Sequence, residues 1–255
     1  MSYPKDLLST RAIVKPGLYA ILPRGGLVNN VIPGVAGCKV SIVASPKLGA
    51  SFVQYALEAE AGGAAAEPLA AEPGAESFLY CIEGRAVVEA GGAEKTLTAG
   101  GYLYLPADQG GIRFNCPEAS RLLLYKQKYV PLAGKQPYLV VGNVNEMPFE
   151  EYEGMKNVFI KDLLPKDTAF DMNMHILSFE PGGCHSFVET HVQEHGAYIL
   201  SGEGMYIMEQ EWIPIRKDDF MWFGPYVPQA CYGVGREPFA YIYSSLQLLR
   251  YNKIT

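Results

Sequence analysis

The stretch YILSGEGMYIMEQEWIPIRKDDFMWFG, residues 198–224, has the same order of apolar runs and turn residues as YCIEGRAVVEAGGAEKTLTAGGYLYLP, residues 80–106. The offset between the two stretches is 118 residues and needs no gap, so that Gly84 falls on Gly202. Self-similarity of this kind is the signature of a duplicated structural unit. In each copy, short apolar runs alternate with glycine turns, and this rhythm indicates β-structure.

The duplication extends beyond these two stretches and divides the chain. Arg121–Tyr125 falls on Phe239–Tyr243 at the same offset, and the joint between the copies lies near residues 131–150. A chain of 255 residues with 49% apolar residues is long enough for two separate cores. We therefore predict two domains, residues 1–140 and residues 141–255, built on one all-β unit.

The rest of the sequence supports an all-β fold. Long apolar patterns of helical period are scarce, whereas 27 glycines and 18 prolines separate short runs rich in Tyr, Val, Ile, Phe and Leu. This pattern is typical of a sandwich or a barrel. We interpret residues 57–76, which are rich in Ala, Gly, Glu and Pro, as a surface loop.

Charge and composition exclude several classes of function. The net charge is −6 and no basic patch is visible, so we expect no nucleic-acid partner. The five cysteines are widely spaced and form no CxxC pair, which favours reduced thiols. No apolar run follows the first charged residues, and no stretch approaches the length of a membrane span. We expect a cytoplasmic protein without membrane contact.

The second copy carries residue types that commonly bind metal ions in proteins. It contains the pattern Gly183-x5-Glu189-x-His191-x3-His195-x6-Gly202. Residues two apart on a strand point to the same face, so Glu189 and His191 can both face a barrel interior. A carboxylate and two imidazoles that converge inside a β-shell are a typical arrangement for a divalent metal.

This spacing resembles the first motif of the cupin superfamily, with Glu and His exchanged at two positions. The resemblance implies a bicupin, that is, two tandem cupin (double-stranded β-helix or jelly-roll) barrels. The second cupin motif, counted from Asp219, places its metal-binding position on Gln229. The predicted ligands are therefore Glu189, His191, His195 and Gln229, and this oxygen-rich set favours Mn²⁺ over Zn²⁺ or Cu²⁺.

The first copy lacks these ligands. At the four corresponding positions it has residues that cannot form such a site: Ala71, Pro73, Ser77 and Gly111. We therefore predict one metal ion per chain, in the C-terminal barrel. We interpret His175 and His185 as ordinary structural residues, and expect Tyr206 and Tyr241 to be able to face the cavity.

The chain also resembles a narrower family, the (S)-ureidoglycine aminohydrolases. The resemblance rests on the stretches NMHILSFEPGG, ETHVQEHGAYILSGEG and VPQACYGVG in the second half and on RAIVKPGLYAILPRGGLVNN, PKLGASFVQY and GGYLYLPA in the first. It implies a two-cupin enzyme of purine and allantoin degradation that hydrolyses (S)-ureidoglycine to (S)-ureidoglycolate and ammonia with Mn²⁺.

The same resemblance implies roles for individual residues. Glu189, Gln229 and Tyr241 occupy the positions of the family's substrate contacts, and Glu189 is the candidate for proton transfer. Ser245 stands where the family has a lysine, so a cationic contact to the substrate carboxylate is absent at this position. This departure bears on the identity of the substrate more than on the metal site.

Two other functions stay open at the level of the sequence. One is a different metal-dependent cupin enzyme, an oxygenase or isomerase acting on a small carboxylate. The other is a non-enzymatic bicupin that binds a small molecule around a structural metal. Because exposed edge strands need covering, we also expect a homo-oligomer. The sequence does not give the number of subunits or the metal bound in vivo.

Overall fold

The computed structural model describes residues 12–246 of the chain. The first ten strands within this range are β1 (Ile13–Lys15), β2 (Tyr19–Leu22), β3 (Val35–Ala44), β4 (Val53–Leu69), β5 (Ala75–Glu83), β6 (Arg85–Ala90), β7 (Ala93–Thr98), β8 (Gly101–Leu105), β9 (Ile112–Asn115) and β10 (Ser120–Lys128).

The second ten strands are β11 (Val140–Asn143), β12 (Glu150–Glu151), β13 (Val158–Asp162), β14 (Met172–Phe179), β15 (His195–Ser201), β16 (Glu203–Met208), β17 (Glu211–Arg216), β18 (Phe220–Phe223), β19 (Gln229–Gly233) and β20 (Phe239–Leu246). The helical segments within residues 12–246 are two short 3-10 helices, Arg24–Gly26 and Val144–Glu146. The prediction of an all-β fold is confirmed.

The two halves have matching strand pairings. The hairpin β6–β7 corresponds to β16–β17 with both strands shifted by the 118 residues found in the sequence. Likewise, β5 lies between β8 and β10 in the first half, as β15 lies between β18 and β20 in the second. The repeat in the sequence is therefore a repeat of the fold.

Near the beginning of each half, one strand pairs with the sheet of the other half. Strand β2 pairs with β18, so the beginning of the described chain extends the second sheet. Strand β11 pairs with β8 in the first sheet. The division of the chain into residues 1–140 and 141–255 stays a prediction, and this exchange shows that β2 and β11 cross between the two sheets.

Three groups of buried side chains fill the molecule. One lies inside the first barrel and includes Leu79 and Leu122, and a second lies inside the second barrel and includes Phe179 and Tyr241. The third contains residues of both halves, among them Phe52 and Trp222, and joins the two barrels through a continuous apolar interface. Burial of the apolar side chains at this interface is the main contribution that stabilises the arrangement of the two halves.

The interpretation of residues 57–76 as a loop is wrong for most of its length. Strand β4 continues to Leu69 and pairs with β3, β10 and β9 along its course. A Cβ on Gly63 would lie 2.6 Å from the carbonyl oxygen of Gly37, so only glycine allows this close approach of the backbones. Small residues are common in loops, but in this segment they permit close packing of the strands.

Within residues 12–246, no helix is long and apolar enough to cross a membrane. The expectation of no secretory signal concerns residues 1–17, of which the first eleven lie outside the described residues.

Candidate metal centre and active site

Glu189 and His191 lie on the segment between β14 and β15, His195 begins β15, and Gln229 begins β19. The corresponding segment of the first half contains the later part of β4, which pairs with β9, and the turn between β4 and β5. In the second half this segment meets the chain around β19 through two single bridges, Cys184 with Tyr232 and Glu189 with Gln229. The segment thus lacks regular strand geometry at Glu189 and His191.

The two glycines of the sequence motif fix the backbone on either side of the ligands. A Cβ on Gly183 would lie 2.5 Å from the carbonyl oxygen of Asn157. Gly202 has a φ of 70°, and a Cβ there would lie 2.6 Å from the carbonyl oxygen of Pro238. Both positions require glycine, because any side chain would collide with the backbone of a neighbouring segment.

The imidazoles of His191 and His195 face each other. Their Nε2 atoms are 3.3 Å apart. The Nδ1 atom of His191 lies 3.0 Å from the carbonyl oxygen of Gln193, and that of His195 lies 2.9 Å from the carbonyl oxygen of Ser244. A carbonyl oxygen only accepts hydrogen bonds, so in both rings Nδ1 carries the proton and Nε2 presents a lone pair.

This arrangement fits a shared cation. Burial lowers the pKa of His191, and burial with the nearby His191 lowers the pKa of His195 to about 3, so both rings stay neutral near pH 7. Two lone pairs at this distance repel each other unless a positive charge lies between them. Nitrogens bound to one divalent metal at roughly 2.1 Å each are about 3 Å apart, and the observed separation agrees with this value.

Gln229 lies beside the two histidines. Its Nε2 atom is 3.1 Å from Nε2 of His191, and its Oε1 atom accepts a hydrogen bond of 3.4 Å from the hydroxyl of Tyr206. A hydroxyl both donates and accepts, so Tyr206 can also hold the amide turned over, with Oε1 toward the histidines. The hydroxyl of Tyr241 lies 3.4 Å from that of Tyr206. Burial raises the pKa of both tyrosines, which keeps them protonated.

Glu189 lies on the wall of the same cavity. Burial, with a smaller contribution from Glu153, raises the pKa of its carboxyl to about 7. In the described part of the chain, no three His, Cys, Asp or Glu side chains stand close enough together to hold a metal ion. The structure thus brings His191, His195 and Gln229 into direct contact, and it places Glu189 in the cavity without grouping it with the two histidines.

The cavity has a volume of about 590 Å³ and is lined by residues of the second half of the chain. Its wall includes all six residues that the sequence singles out for the site, namely Glu189, His191, His195, Gln229, Tyr241 and Ser245. Tyr241 and Ser245 lie four residues apart on β20, so their side chains point to the same face of the sheet, and both are buried. Their position on the cavity wall is compatible with substrate contact.

Comparison with known proteins establishes the relationship of the chain. No family model matches it. A search of curated proteins finds the (S)-ureidoglycine aminohydrolase of Escherichia coli (strain K12), which is 50% identical over 244 residues, covering 95% of this chain and 93% of the relative. The chain belongs to the (S)-ureidoglycine aminohydrolase family.

Solved structures agree with this membership. The crystal structure of protein Ylba from E. coli superposes with a TM-score of 0.86 at 46% identity and covers 96% of this chain and 97% of its own. A cupin 2 conserved barrel domain protein from Leptotrichia buccalis superposes with a TM-score of 0.61 at 17% identity, covering 91% of this chain and 99% of its own. The predicted bicupin fold is thereby confirmed for this (S)-ureidoglycine aminohydrolase family member.

The first barrel of this family member has a packed interior. Leucines from several strands, among them Leu79, Leu103 and Leu124, are fully buried within it. Of the positions that correspond to the predicted ligands, Ser77 is buried and Ala71 and Pro73 are exposed. The side chains of this interior therefore contribute packing, whereas those of the second barrel leave a polar cavity.

The cavity wall of this family member contains a polar pair that the sequence pattern does not reveal. His175, which we interpreted as an ordinary structural residue, lines the cavity, and its Nδ1 atom lies 2.6 Å from Oδ1 of Asp162. Asn173 lines the cavity on the same strand, directly opposite Ser245. The alternation of Asn173, His175 and Leu177 is visible in the sequence, but it does not reveal which face is inside.

His185 also lines the cavity, where its side chain makes contacts of the kind that support a fold. Its Nδ1 atom accepts a hydrogen bond of 3.2 Å from the backbone N–H of Cys231. Its ring packs edge-on against Phe179, with 5.2 Å between the ring centroids. Burial lowers its pKa to about 4, so the ring is neutral at physiological pH.

Proposed function

We propose that this chain hydrolyses (S)-ureidoglycine to (S)-ureidoglycolate and ammonia with one Mn²⁺ ion held by Glu189, His191, His195 and Gln229. The observation that carries the proposal is the pair of neutral imidazoles whose Nε2 lone pairs face each other at 3.3 Å beside an amide. The activity follows from membership of a family whose E. coli relative is named for it.

The ligand set supports the choice of metal. Neutral imidazole nitrogens suit many divalent ions, whereas a carboxylate and an amide oxygen favour a harder cation such as Mn²⁺. When bound, the ion would supply a positive charge that anchors the substrate carboxylate and amine and stabilises charge that develops during the reaction. His191 and His195 can bind without losing a proton, because their Nε2 atoms already carry lone pairs.

The side chains of the cavity orient the substrate and move protons. Glu189 is the candidate base that takes a proton from water. The hydroxyl of Tyr241 and the amide of Gln229 offer hydrogen bonds to the polar groups of the substrate, and they are linked through Tyr206. Ser245 offers a neutral donor where the family has a lysine, so the substrate carboxylate is held without a side-chain cation at this point.

The test combines metal analysis with an ammonia assay. Purified protein is analysed for bound metals and incubated with freshly prepared (S)-ureidoglycine while ammonia release and oxygen uptake are followed. We expect about one divalent ion per chain and ammonia release without oxygen consumption. Glu189→Gln and His191→Ala should abolish the release, since the former removes the base and the latter a ligand.

The controls separate loss of chemistry from loss of fold. Each variant should keep the circular dichroism spectrum and the cooperative unfolding of the wild type. A wild-type protein that holds no divalent metal and releases no ammonia would contradict the proposal. Oxygen uptake with a small carboxylate would instead favour a cupin oxygenase, and ligand binding without turnover would favour a non-enzymatic bicupin.

We further propose that the protein acts in the cytoplasm, in allantoin and purine degradation, as a homo-oligomer of chains divided into two barrels near residue 140. Strands β1 and β12 form the edges of the eight-stranded sheet. Within residues 12–246 the outer side of each of these strands has no partner strand, and exposed edges of this kind favour association with a second copy. Sedimentation velocity would measure the mass of the particle, and a monomer at micromolar concentration would contradict the oligomer.

A further inference from the structure

His175 and Asp162 form a hydrogen-bonded pair in the wall of the cavity. They face each other across β14 and β13 in the strand register. The Nδ1 atom of His175 lies 2.6 Å from Oδ1 of Asp162, and Oδ2 of Asp162 lies 2.6 Å from Nζ of Lys166. The carboxylate therefore uses one oxygen for each partner and holds the imidazole in a fixed orientation.

The imidazole of His175 lies on the same inner face as the proposed metal ligands. Its ring packs against Tyr243 with 5.1 Å between centroids, and Tyr243 in turn packs against His195 at 5.0 Å. Strand alternation places His175 and Tyr241 on the interior side, as their common presence in the cavity wall shows. One tyrosine ring thus separates His175 from the histidine pair.

The pair has the geometry of a proton-transfer device. Since Asp162 accepts from Nδ1, the Nε2 atom of His175 is the position that can give up or take a proton. The hydrogen bond from His175 lowers the pKa of Asp162 to about 2, so the imidazole faces an ionised carboxylate. The same arrangement orients and supports the histidine in many hydrolases.

The proposed hydrolysis needs two proton transfers of opposite direction. The amine nitrogen must gain a proton to leave as ammonia, and the attacking water must lose one. A single Glu189 carboxyl would have to perform both transfers in turn, from one side of the substrate. A second group on another wall of the cavity removes this requirement.

We propose, on the basis of the proposed function, that His175 is the proton donor to the departing amine and that Asp162 positions it. The C–N bond breaks, its electron pair goes to nitrogen, and the Nε2 proton of the imidazolium completes the ammonia molecule. Water adds its oxygen to the same carbon and gives a proton to Glu189. Transfer of that proton through solvent to His175 restores both groups, and no oxidant or reductant takes part.

A matched pair of substitutions tests the proton donor. In His175→Asn the amide nitrogen can still donate to Asp162, and in His185→Asn the amide oxygen can still accept from Cys231. Both residues line the cavity, and both variants keep the hydrogen bond of Nδ1 and lose the distal Nε2 atom, but only His175 is assigned a role in proton transfer. Asp162→Asn removes the orienting charge while it preserves the shape of the side chain.

The expected result is a selective loss of kcat. General acid catalysis contributes roughly 10²–10⁴-fold, so His175→Asn should lower kcat for ammonia release at least about 100-fold with little change in KM or bound metal. Asp162→Asn should lower kcat about tenfold or more, and His185→Asn should stay within about threefold of the wild type. Added imidazole should partly restore His175→Gly, which a purely structural role would not allow.

The outcomes distinguish this inference from the proposed function. A wild type that releases ammonia, together with His175→Asn at wild-type kcat, would overturn the role of His175 alone. If His175→Asn does not fold, the same decision rests on Asp162→Asn: wild-type kcat in that variant overturns the pair. A wild type that releases no ammonia would overturn the proposed function and, with it, this inference.

Discussion

Replacement of Glu194 by alanine should both destabilise the fold and disturb the histidine pair. Glu194 directly precedes His195, and its carboxylate is buried. One oxygen accepts a hydrogen bond of 2.9 Å from the indole N–H of Trp222, and the carboxylate accepts from the backbone N–H of Ser51 at 2.9 Å. The contact with Ser51 ties the ligand segment to the first half of the chain, and the contact with Trp222 ties it to β18.

The magnitude follows from the donors that lose their partner. The indole N–H of Trp222 is fully buried, and an unsatisfied buried donor costs about 1–3 kcal/mol. The amide of Ser51 is partly buried and adds less, so we expect a total loss of about 2–4 kcal/mol in the free energy of unfolding. For a chain of this size, 1 kcal/mol corresponds to a change in Tm of roughly 2–4 °C, so Tm should fall by roughly 5–15 °C.

The assay is urea unfolding of Glu194→Ala, Glu194→Gln and Trp222→Phe, together with titration of each folded variant with Mn²⁺. Glu194→Gln keeps an acceptor of the same shape and should lose less stability than the alanine variant. A double-mutant cycle between Glu194→Ala and Trp222→Phe isolates their interaction. An alanine variant with wild-type stability and wild-type Mn²⁺ affinity would contradict this prediction.

Three further predictions concern the same half of the molecule. Gly196→Ala should destabilise the protein by about 1–3 kcal/mol in urea unfolding, because its Cβ would lie 2.4 Å from Cζ of Phe52. Burial raises the pKa of Asp219 from 3.8 to about 6, so its contribution to stability is present below pH 4 and is lost as the pH rises through 6. Asp219→Asn should flatten this pH dependence and stabilise the protein at pH 7 by up to about 3 kcal/mol, which thermal unfolding from pH 4 to 8 would measure. Removal of bound metal with a chelator should lower Tm and stop ammonia release, and Mn²⁺ at 100 times its Kd should restore about 2.7 kcal/mol of stability.

The duplicated architecture could be predicted because it depends on local patterns. Each glycine turn and apolar run has its own signal, and two copies of the same series reinforce each other, as β6–β7 and β16–β17 show. The exchange of β2 and β11 between the sheets could not be predicted in this way. A strand pattern indicates that a segment pairs, but the choice of partner depends on contacts distant in sequence.

The same difference explains which site residues the sequence revealed. His191 and His195 stand at a recognisable spacing within one segment, so their contact could be predicted. His175 comes from another strand and meets Asp162 only because β13 and β14 pair in one particular register. A shift of one residue would turn its side chain away from the cavity.

The half of the chain without predicted ligands takes part in shaping the site. Strand β15 carries His195 at its first position, and the next residue, Gly196, lies against the ring of Phe52 from the first half. The hydroxyl of Tyr125, also from the first half, donates a hydrogen bond of 3.3 Å to the carbonyl oxygen of Gly196. On the other side of His195, the carboxylate of Glu194 accepts a hydrogen bond from the backbone N–H of Ser51. The first half therefore contacts the residues on both sides of His195. The position of His195 Nε2 relative to His191 is therefore a property of both halves, so a substitution at Phe52 or Tyr125 should change the site although neither residue lines the cavity.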